Sequence, residues 1–557
     1  MIAGRHAASM PPRLLLLGCL LVVGVAVAVP SLTLIRESLL SAGGAFSFGN
    51  YARVLGSART WHLLGTTVAF SATMTLFAGC TGLLFAWLAA RTDVAGRAFM
   101  PVAVLLPYLI PPTLGSICWI FFLSPTNGLV NQLLAPLFGS PTFNIYSFSG
   151  MVFVESLYTF PLAFIFFHAA LVALNPSLEE ASAICGAGTL ATFRTVTLPA
   201  MWPAIFSVAT LLFIIGLESF DVAWFLGYPA KIYTLSIQVF LLTRYDYPPD
   251  IAAASVFGVI ALVAAMLMVW AYRAITREQA RFVAISGKAY RPGGLALGVW
   301  RVPAAIIFYG LIVVIGVLPV LLLAGIALDA VAWPFHLRGT ADMANFVWIL
   351  SDAESQRALT NTAIIALLGA SAVVALSFFV AYVTVRTETK FRALLDYLAF
   401  LPFGFPGTVL AVGLITALIR TPLYDTIWIM LVAFAVKFLP YGLRNIAGSM
   451  LQVHRELEEA SFASGAGLFA TMRRIMLPLV APGMLAAWSL LFIVFGRQFS
   501  LPIMLSSTGS QVLTIALFQE FDGGQMGHVA AYGILLIVCS LPFLVLARWV
   551  AKEVAGS

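Results

Sequence analysis

Charge is scarce in this chain: Asp, Glu, Lys and Arg together make up 10% of its 557 residues, where a soluble domain carries about a quarter. The remainder is 61% hydrophobic, at a mean hydropathy of +1.00. No water-soluble globule can bury that much apolar surface, so soluble enzymes and nucleic-acid binders are excluded. Cysteine is sparse too. Cys19, Cys80, Cys118, Cys185 and Cys539 are odd in number and contain no close pair, which argues against a disulfide framework or a zinc site. Histidines such as His62, His168, His336, His454 and His528 are scattered and read as no metal cage. A phosphate-cradling G-x-x-x-x-G-K-[ST] is missing as well. Its nearest match, Ser286-Gly287-Lys288-Ala289, lacks both the upstream glycine and the hydroxyl. No Ser/His or metal-binding pair recurs at helical spacing, so an intramembrane enzyme has no support.

Long apolar runs take the place of all these. A helix needs about 20 apolar residues to cross the hydrocarbon core. Twelve candidates lie at roughly 14–35, 63–90, 99–123, 149–173, 201–226, 251–272, 302–328, 358–385, 394–419, 427–451, 481–506 and 529–547. The first resembles a signal peptide, with Ala26-Val27-Ala28 as a possible cleavage site, but it continues to about Ile35 and reads as a retained span. Lys and Arg concentrate on the cytoplasmic side. Placing the N-terminus inside puts 19 of the 30 basic residues in inward segments and 8 in outward ones, so both termini are expected in the cytoplasm.

The chain also repeats itself. A shift of 295 aligns Asn50 with Asn345, Arg91 with Arg386, Arg97 with Arg392, Pro107 with Pro402 and Pro111 with Pro406. Further on the shift is 279, pairing Pro161 with Pro440, Glu179-Glu180-Ala181-Ser182 with Glu458-Glu459-Ala460-Ser461, and Pro199 with Pro478. The difference is an uncharged insertion within about Ser124–Phe143. Six spans per half make the repeats parallel, related by an axis along the membrane normal. The predicted fold is therefore an all-α integral membrane protein of twelve transmembrane helices in two six-helix repeats, 1–272 and 302–557. A basic linker, 273–301, joins them and is suited to anionic lipid heads.

Between the fourth and fifth spans of each half lies a duplicated loop. Ser177 and Glu180 form a capping-box start in the first copy; the second has Glu456 at the corresponding place. Gly186-Ala187-Gly188 and Gly465-Ala466-Gly467 permit a sharp turn. A second short helix should follow, with Pro199 or Pro478 marking the start of the next span. Two copies in register favour a pair of docking elbows over an ordinary interfacial helix.

Ionisable residues within spans cost about 2.5–3.5 kcal/mol each, so Glu155, Glu218, Asp221, Lys437 and Arg497 should face protein or water. Glu155 lies near the outer end of its span and could reach the interface. Glu218 and Asp221, three apart, are expected on one helix face. The shift of 279 carries Glu218 onto Arg497, and the two could form an outward gate or belong to structural pairs within each half. With Asp221 and Lys437 they are the candidate residues of a translocation path.

The duplicated loops resemble the EAA loops of type I ABC importer permeases, with Glu-Ala-Ser in place of Glu-Ala-Ala. The segments Ala90–Arg97 and Leu106–Pro112 resemble the same superfamily. The resemblance covers both halves. It implies a permease subunit in a bacterial inner membrane, whose loops seat on two copies of a separate ABC ATPase. ATP and Mg would be bound by those partner subunits, and no cofactor by this chain. The coupling residues would be Glu179, Glu180, Ala181, Gly186, Gly188, Glu458, Glu459, Ala460, Gly465 and Gly467. Asp522-Gly523-Gly524-Gln525 looks like the ABC ATPase signature but falls outside the membrane by this topology. Outward loops of roughly 30 residues or fewer imply a separate extracytoplasmic substrate-binding protein. Fusion of both halves resembles the ferric-iron and thiamine permeases. Ferric iron is the first expectation for cargo, with thiamine, polyamines and phosphonates as alternatives. The competing class is an ion-coupled secondary transporter, which has no need of paired docking loops.

Overall fold

The computed structural model describes residues 10–556 apart from 42, 140, 175–176, 283–295 and 339. Among the described residues the architecture is helical, with a two-residue antiparallel pair, Val331–Ala332 with His336–Leu337, and one isolated bridge. In chain order the apolar helices are α1 (Arg13–Leu39), α2 (Ala58–Arg91), α3 (Arg97–Leu109 with Pro112–Leu123), α4 (Phe148–Ala173), α5 (Leu190–Glu218), α6 (Ile251–Ala271), α7 (Gly298–Ala327), α8 (Ala353–Arg386), α9 (Arg392–Gly404 with Gly407–Leu418), α10 (Ile427–Gln452), α11 (Leu468–Arg497) and α12 (Met526–Leu546). Ten are long and apolar enough to cross a membrane as single helices. The other two, α3 and α9, are bent pairs, so the described residues hold ten spans, or up to twelve if each bent pair is one span.

The bends correct the expectation of unbroken third spans at 99–123 and 394–419. They measure 84° in α3 and 110° in α9, and proline causes both. A residue before proline is sterically pushed out of the helical region, and Ile110 and Phe405 are extended accordingly, at ψ 119° and 121°. Pro111 and Pro406 then sit as the N-caps of the second segments, where a missing N–H costs nothing. A break inside a membrane frees carbonyls that lipid cannot satisfy. In α9 the Lys437 ammonium donates to the freed Phe405 carbonyl.

Two further expectations change. Instead of a span over 201–226, α5 stops at Glu218, and α11 stops at Arg497. The insertion in the first half carries a short helix, Leu129–Phe138, bound through the Asn131 amide to the carbonyls of Ser124 and Phe143. Of the basic linker, 283–295 lies outside the described residues.

The chain folds into two compact units that do not follow its order. One holds 1–56, 239–265 and 344–557; the other holds 57–238 and 266–343. Thus α1, from the first repeat, packs in the unit of α8–α12, against α9. There Thr33 donates to the Gly413 carbonyl at 3.0 Å, and a Cβ on Gly413 would meet the Pro30 carbonyl at 2.6 Å. Conversely α7, from the second repeat, packs against α3, and Tyr309 donates to the Gly96 carbonyl at 2.7 Å.

Within each unit the same helices cross closely, α2 on α4 and α8 on α10. Without a hydrophobic drive between helices in lipid, such crossings depend on small residues. A Cβ on Gly82 of α2 would lie 2.6 Å from that of Ala163. At the equivalent point of the other unit the glycine is on the partner helix, Gly442 of α10 against Ser377 of α8. The contact is kept while the glycine changes sides.

Candidate functional site: two matching elbows

Each elbow begins with a short helix, Ser177–Ile184 or Arg455–Ala463. Early acidic residues, Glu179 and Glu180 or Glu456 and Glu458, suit the positive N-terminal end. The first helix starts at Ser177 itself; Asn175 and Pro176 lie outside the described residues. Both end in the same way. Gly186 and Gly465 take left-handed backbone, φ +84° and +81°, and the N–H of Ala187 or Ala466 returns to the carbonyl of Ser182 or Ser461 at 3.1 Å. This is the Schellman stop, which needs a residue without a Cβ penalty at that place.

The second glycine has a different status. Gly467 has ordinary extended angles, φ −75° and ψ 164°, and a Cβ on Gly188 or Gly467 would meet nothing within 4 Å. No requirement among the described residues explains it. Glycine also serves where another backbone must approach closely.

No separate helix follows the turn. Each second arm runs unbroken into the next span, through a widened turn of i→i+5 bonding, Phe193–Thr197 or Met472–Met476. In it the N–H of Leu198 bonds Phe193, and that of Leu477 bonds Met472. A proline ring collides with the carbonyl four residues back. The wider turn just before Pro199 and Pro478 accommodates it, so these prolines lie within continuous helices and do not mark a boundary.

The paired glutamates divide their tasks. Glu179 and Glu458 point inward, onto Arg91 and Arg386, with Nε to carboxylate distances of 3.1 Å in both copies. Side-chain exposures are 4% and 11% in the first pair, 5% and 8% in the second. In neither pair does Nε–H meet hydrogen-bond geometry, so the contact is coulombic. Each arginine also donates to the end of a neighbouring span: Arg91 to Leu174 at 3.0 Å, Arg386 to Val453 at 2.6 Å. The elbow is thereby fixed to the last turns of two helices. Ser182 with Thr192 and Ser461 with Thr471, at 3.0 and 2.8 Å, tie its two arms together.

Glu180, Ala181, Gly186 and Gly188 are exposed, as are Glu459, Ala460, Gly465 and Gly467. Beside them stand bare apolar side chains, including Ile184 at 86% and Phe469 at 72% exposure. Two held elbows each present a carboxylate, an open backbone and apolar knobs. Such surfaces mark sites of protein contact. Arg91 and Arg386 were visible as duplicated residues, yet spacing alone does not reveal that each neutralises a buried glutamate.

Glu218 and Asp221 are not arranged as expected. Glu218 ends α5, Ser219 turns the chain out of the helix, and Asp221 belongs to the next segment, so the two carboxylates do not share a helix face. Glu218 and Arg497 occupy equivalent last positions of α5 and α11, in different units. Glu155 does not reach an interface: it is 6% exposed and accepts from the Ser219 hydroxyl at 2.6 Å. Lys437, 3% exposed, is engaged with the break in α9.

Comparison with known proteins decides the family. The model of the binding-protein-dependent transport system inner membrane component family matches twice, at residues 78–281 and 373–556. The chain belongs to that family. This permease is a fused one, with both copies in a single chain. It is 26% identical to a ferric transport system permease protein, FbpB, of Actinobacillus pleuropneumoniae over 97% of this chain and 78% of the relative. It is 24% identical to an Fe(3+)-transport system permease protein of Haemophilus influenzae over 89% of this chain and 91% of the relative. Among solved structures, a bacterial alginate ABC transporter, in complex with its pentasaccharide-bound periplasmic protein, matches 48% of this chain and 94% of its own. Its identity is 19% and its TM-score 0.40. The permease is a multi-pass membrane component of an ABC transport system.

Proposed function

We propose that this chain is the translocation subunit of an ATP-driven importer of ferric iron, with each elbow docked on one copy of a separate ATPase. The observation that carries this is the duplicated elbow, held from behind by a buried ion pair and presenting Glu180 or Glu459 outward. A gradient-driven carrier has no use for it. The elbows and both chain ends lie on the cytoplasmic side, as the bias of Lys and Arg requires. ATP and Mg belong to the ATPase subunits, and this chain performs no chemistry of its own. An extracytoplasmic binding protein delivers the cargo. Ferric iron is chosen because relatives named for it cover nearly the whole chain.

The test is uptake by proteoliposomes holding the permease and its ATPase, supplied with binding protein. Ferric iron should accumulate only with ATP, and thiamine should not. Glu459→Lys should abolish both ATPase co-purification and uptake. Uphill ferric uptake by the permease alone, without nucleotide, would refute the reading.

A further inference from the structure

The two elbows are near copies outside and differ within. In the first, the Glu179 carboxylate bridges two elements: Oε2 faces Arg91 of α2, and Oε1 accepts from the Thr197 hydroxyl at 2.5 Å. Thr197 is 3% exposed and ends the widened turn leading into α5. The rings of Trp87 and Phe193, 5.2 Å apart and edge-on, join α2 to the same turn. In the second elbow both carboxylate oxygens turn to a single helix. Glu458 Oε1 faces Arg386, and Oε2 accepts from the Tyr382 hydroxyl at 2.9 Å. These two residues are one turn apart on α8.

The sequence shows why. The residue equivalent to Thr197 is Met476, which carries no donor, and the one equivalent to Tyr382 is Trp87, whose indole N–H finds no partner among the described residues. Phe193 likewise becomes Met472. The Ser–Thr bond between the arms is common to both elbows and does not distinguish them.

We infer that Thr197 is a positioning residue that braces the first helix of the first elbow against the start of the span α5, a side-chain bond that the second elbow replaces with one to α8, so that the two ATPase strokes are passed on through differently braced elbows. In the first elbow Glu179 is tied to both α2 and the entry of α5, which ends at Glu218; in the second Glu458 is tied to α8 alone. A hydroxyl–carboxylate bond is charge-assisted, hence shorter and stronger than a neutral one, and it lies where the elbow meets the span. This rests on the importer reading above, and the experiment separates the two.

The experiment uses the complete complex of permease, ATPase and binding protein in proteoliposomes, and measures ferric uptake per ATP hydrolysed. Thr197→Val keeps the side-chain shape and removes only the hydroxyl. Thr197→Ser keeps the hydroxyl and removes the methyl. The valine variant should lose at least fivefold in uptake per ATP, with hydrolysis and ATPase co-purification within twofold of wild type. The serine variant should retain at least half of the wild-type ratio. Met476→Thr, in the other elbow, should leave the ratio unchanged. If valine is harmless, or if serine is as damaging as valine, Thr197 serves packing only and the inference falls. A wild-type complex that neither co-purifies with ATPase nor requires ATP would overturn the importer reading, and this inference with it.

Discussion

At the scale of single residues, the decisive feature is a charge placed where it cannot be left alone. Arg386 and Glu458 are each nearly sealed from solvent. Removing one partner of such a pair strands the other, at a cost of about 3–5 kcal/mol. Arg386→Met should therefore destabilise the permease by that order, and Arg386→Met with Glu458→Gln should recover part of the loss. Thermal unfolding in detergent measures both, and an undisturbed single variant would contradict the ion pair. Asp250 offers a milder case outside the spans. Burial alone would raise its carboxyl, but hydrogen bonds from Arg53 and the Ala253 N–H, and the Arg53 charge, hold it below the ordinary range. A depressed carboxyl contributes stability above its unfolded value of about 3.9, and that contribution is lost as pH falls through the lower folded value. Asp250→Asn should therefore reduce the loss of stability seen on acidification below about pH 4, as followed by melting temperature against pH.

At the scale of elements, the two glycines of each elbow separate folding from docking. Gly465 is left-handed, and a side chain there costs about 1–2 kcal/mol. Gly465→Ala should lower the melting temperature, with Gly465→Asn tolerated better. Gly467 has neither strained angles nor a close neighbour. Gly467→Trp should leave melting unchanged and abolish ATPase co-purification; a lowered melting temperature would show that the position is structural after all. The bent helices follow the same logic of local cause. The prolines that break α3 and α9 were plain in the sequence, whereas apolar composition, which cannot register a change of direction, read straight through them. Likewise Pro199 and Pro478 read as boundaries because the widened turn that absorbs them has no composition signal.

At the scale of the molecule, sequence repeats and compact units differ. The unit containing α8–α12 takes in α1, and the unit containing α2–α5 takes in α7. Neither half of the chain can complete a unit by itself. If the permease is cut within the basic linker, each half expressed alone should aggregate or be degraded, and the two expressed together should co-purify as a monodisperse complex in size-exclusion chromatography. A single half that is monodisperse and thermally cooperative would count against the exchange.

The sequence by itself determined that this is a polytopic helical protein, that it is duplicated, and where its two elbows lie. Those facts rest on the free energy of apolar runs in lipid and on the register of repeated residues, both of which are one-dimensional. Tertiary structure alone decided which glutamate of each pair faces inward, that Glu218 and Asp221 part at a helix end, that Lys437 answers a broken backbone, and that α1 and α7 pack in units dominated by the opposite repeat. Each depends on which polar groups burial leaves needing a partner, and that is a property of neighbours brought together from distant parts of the chain.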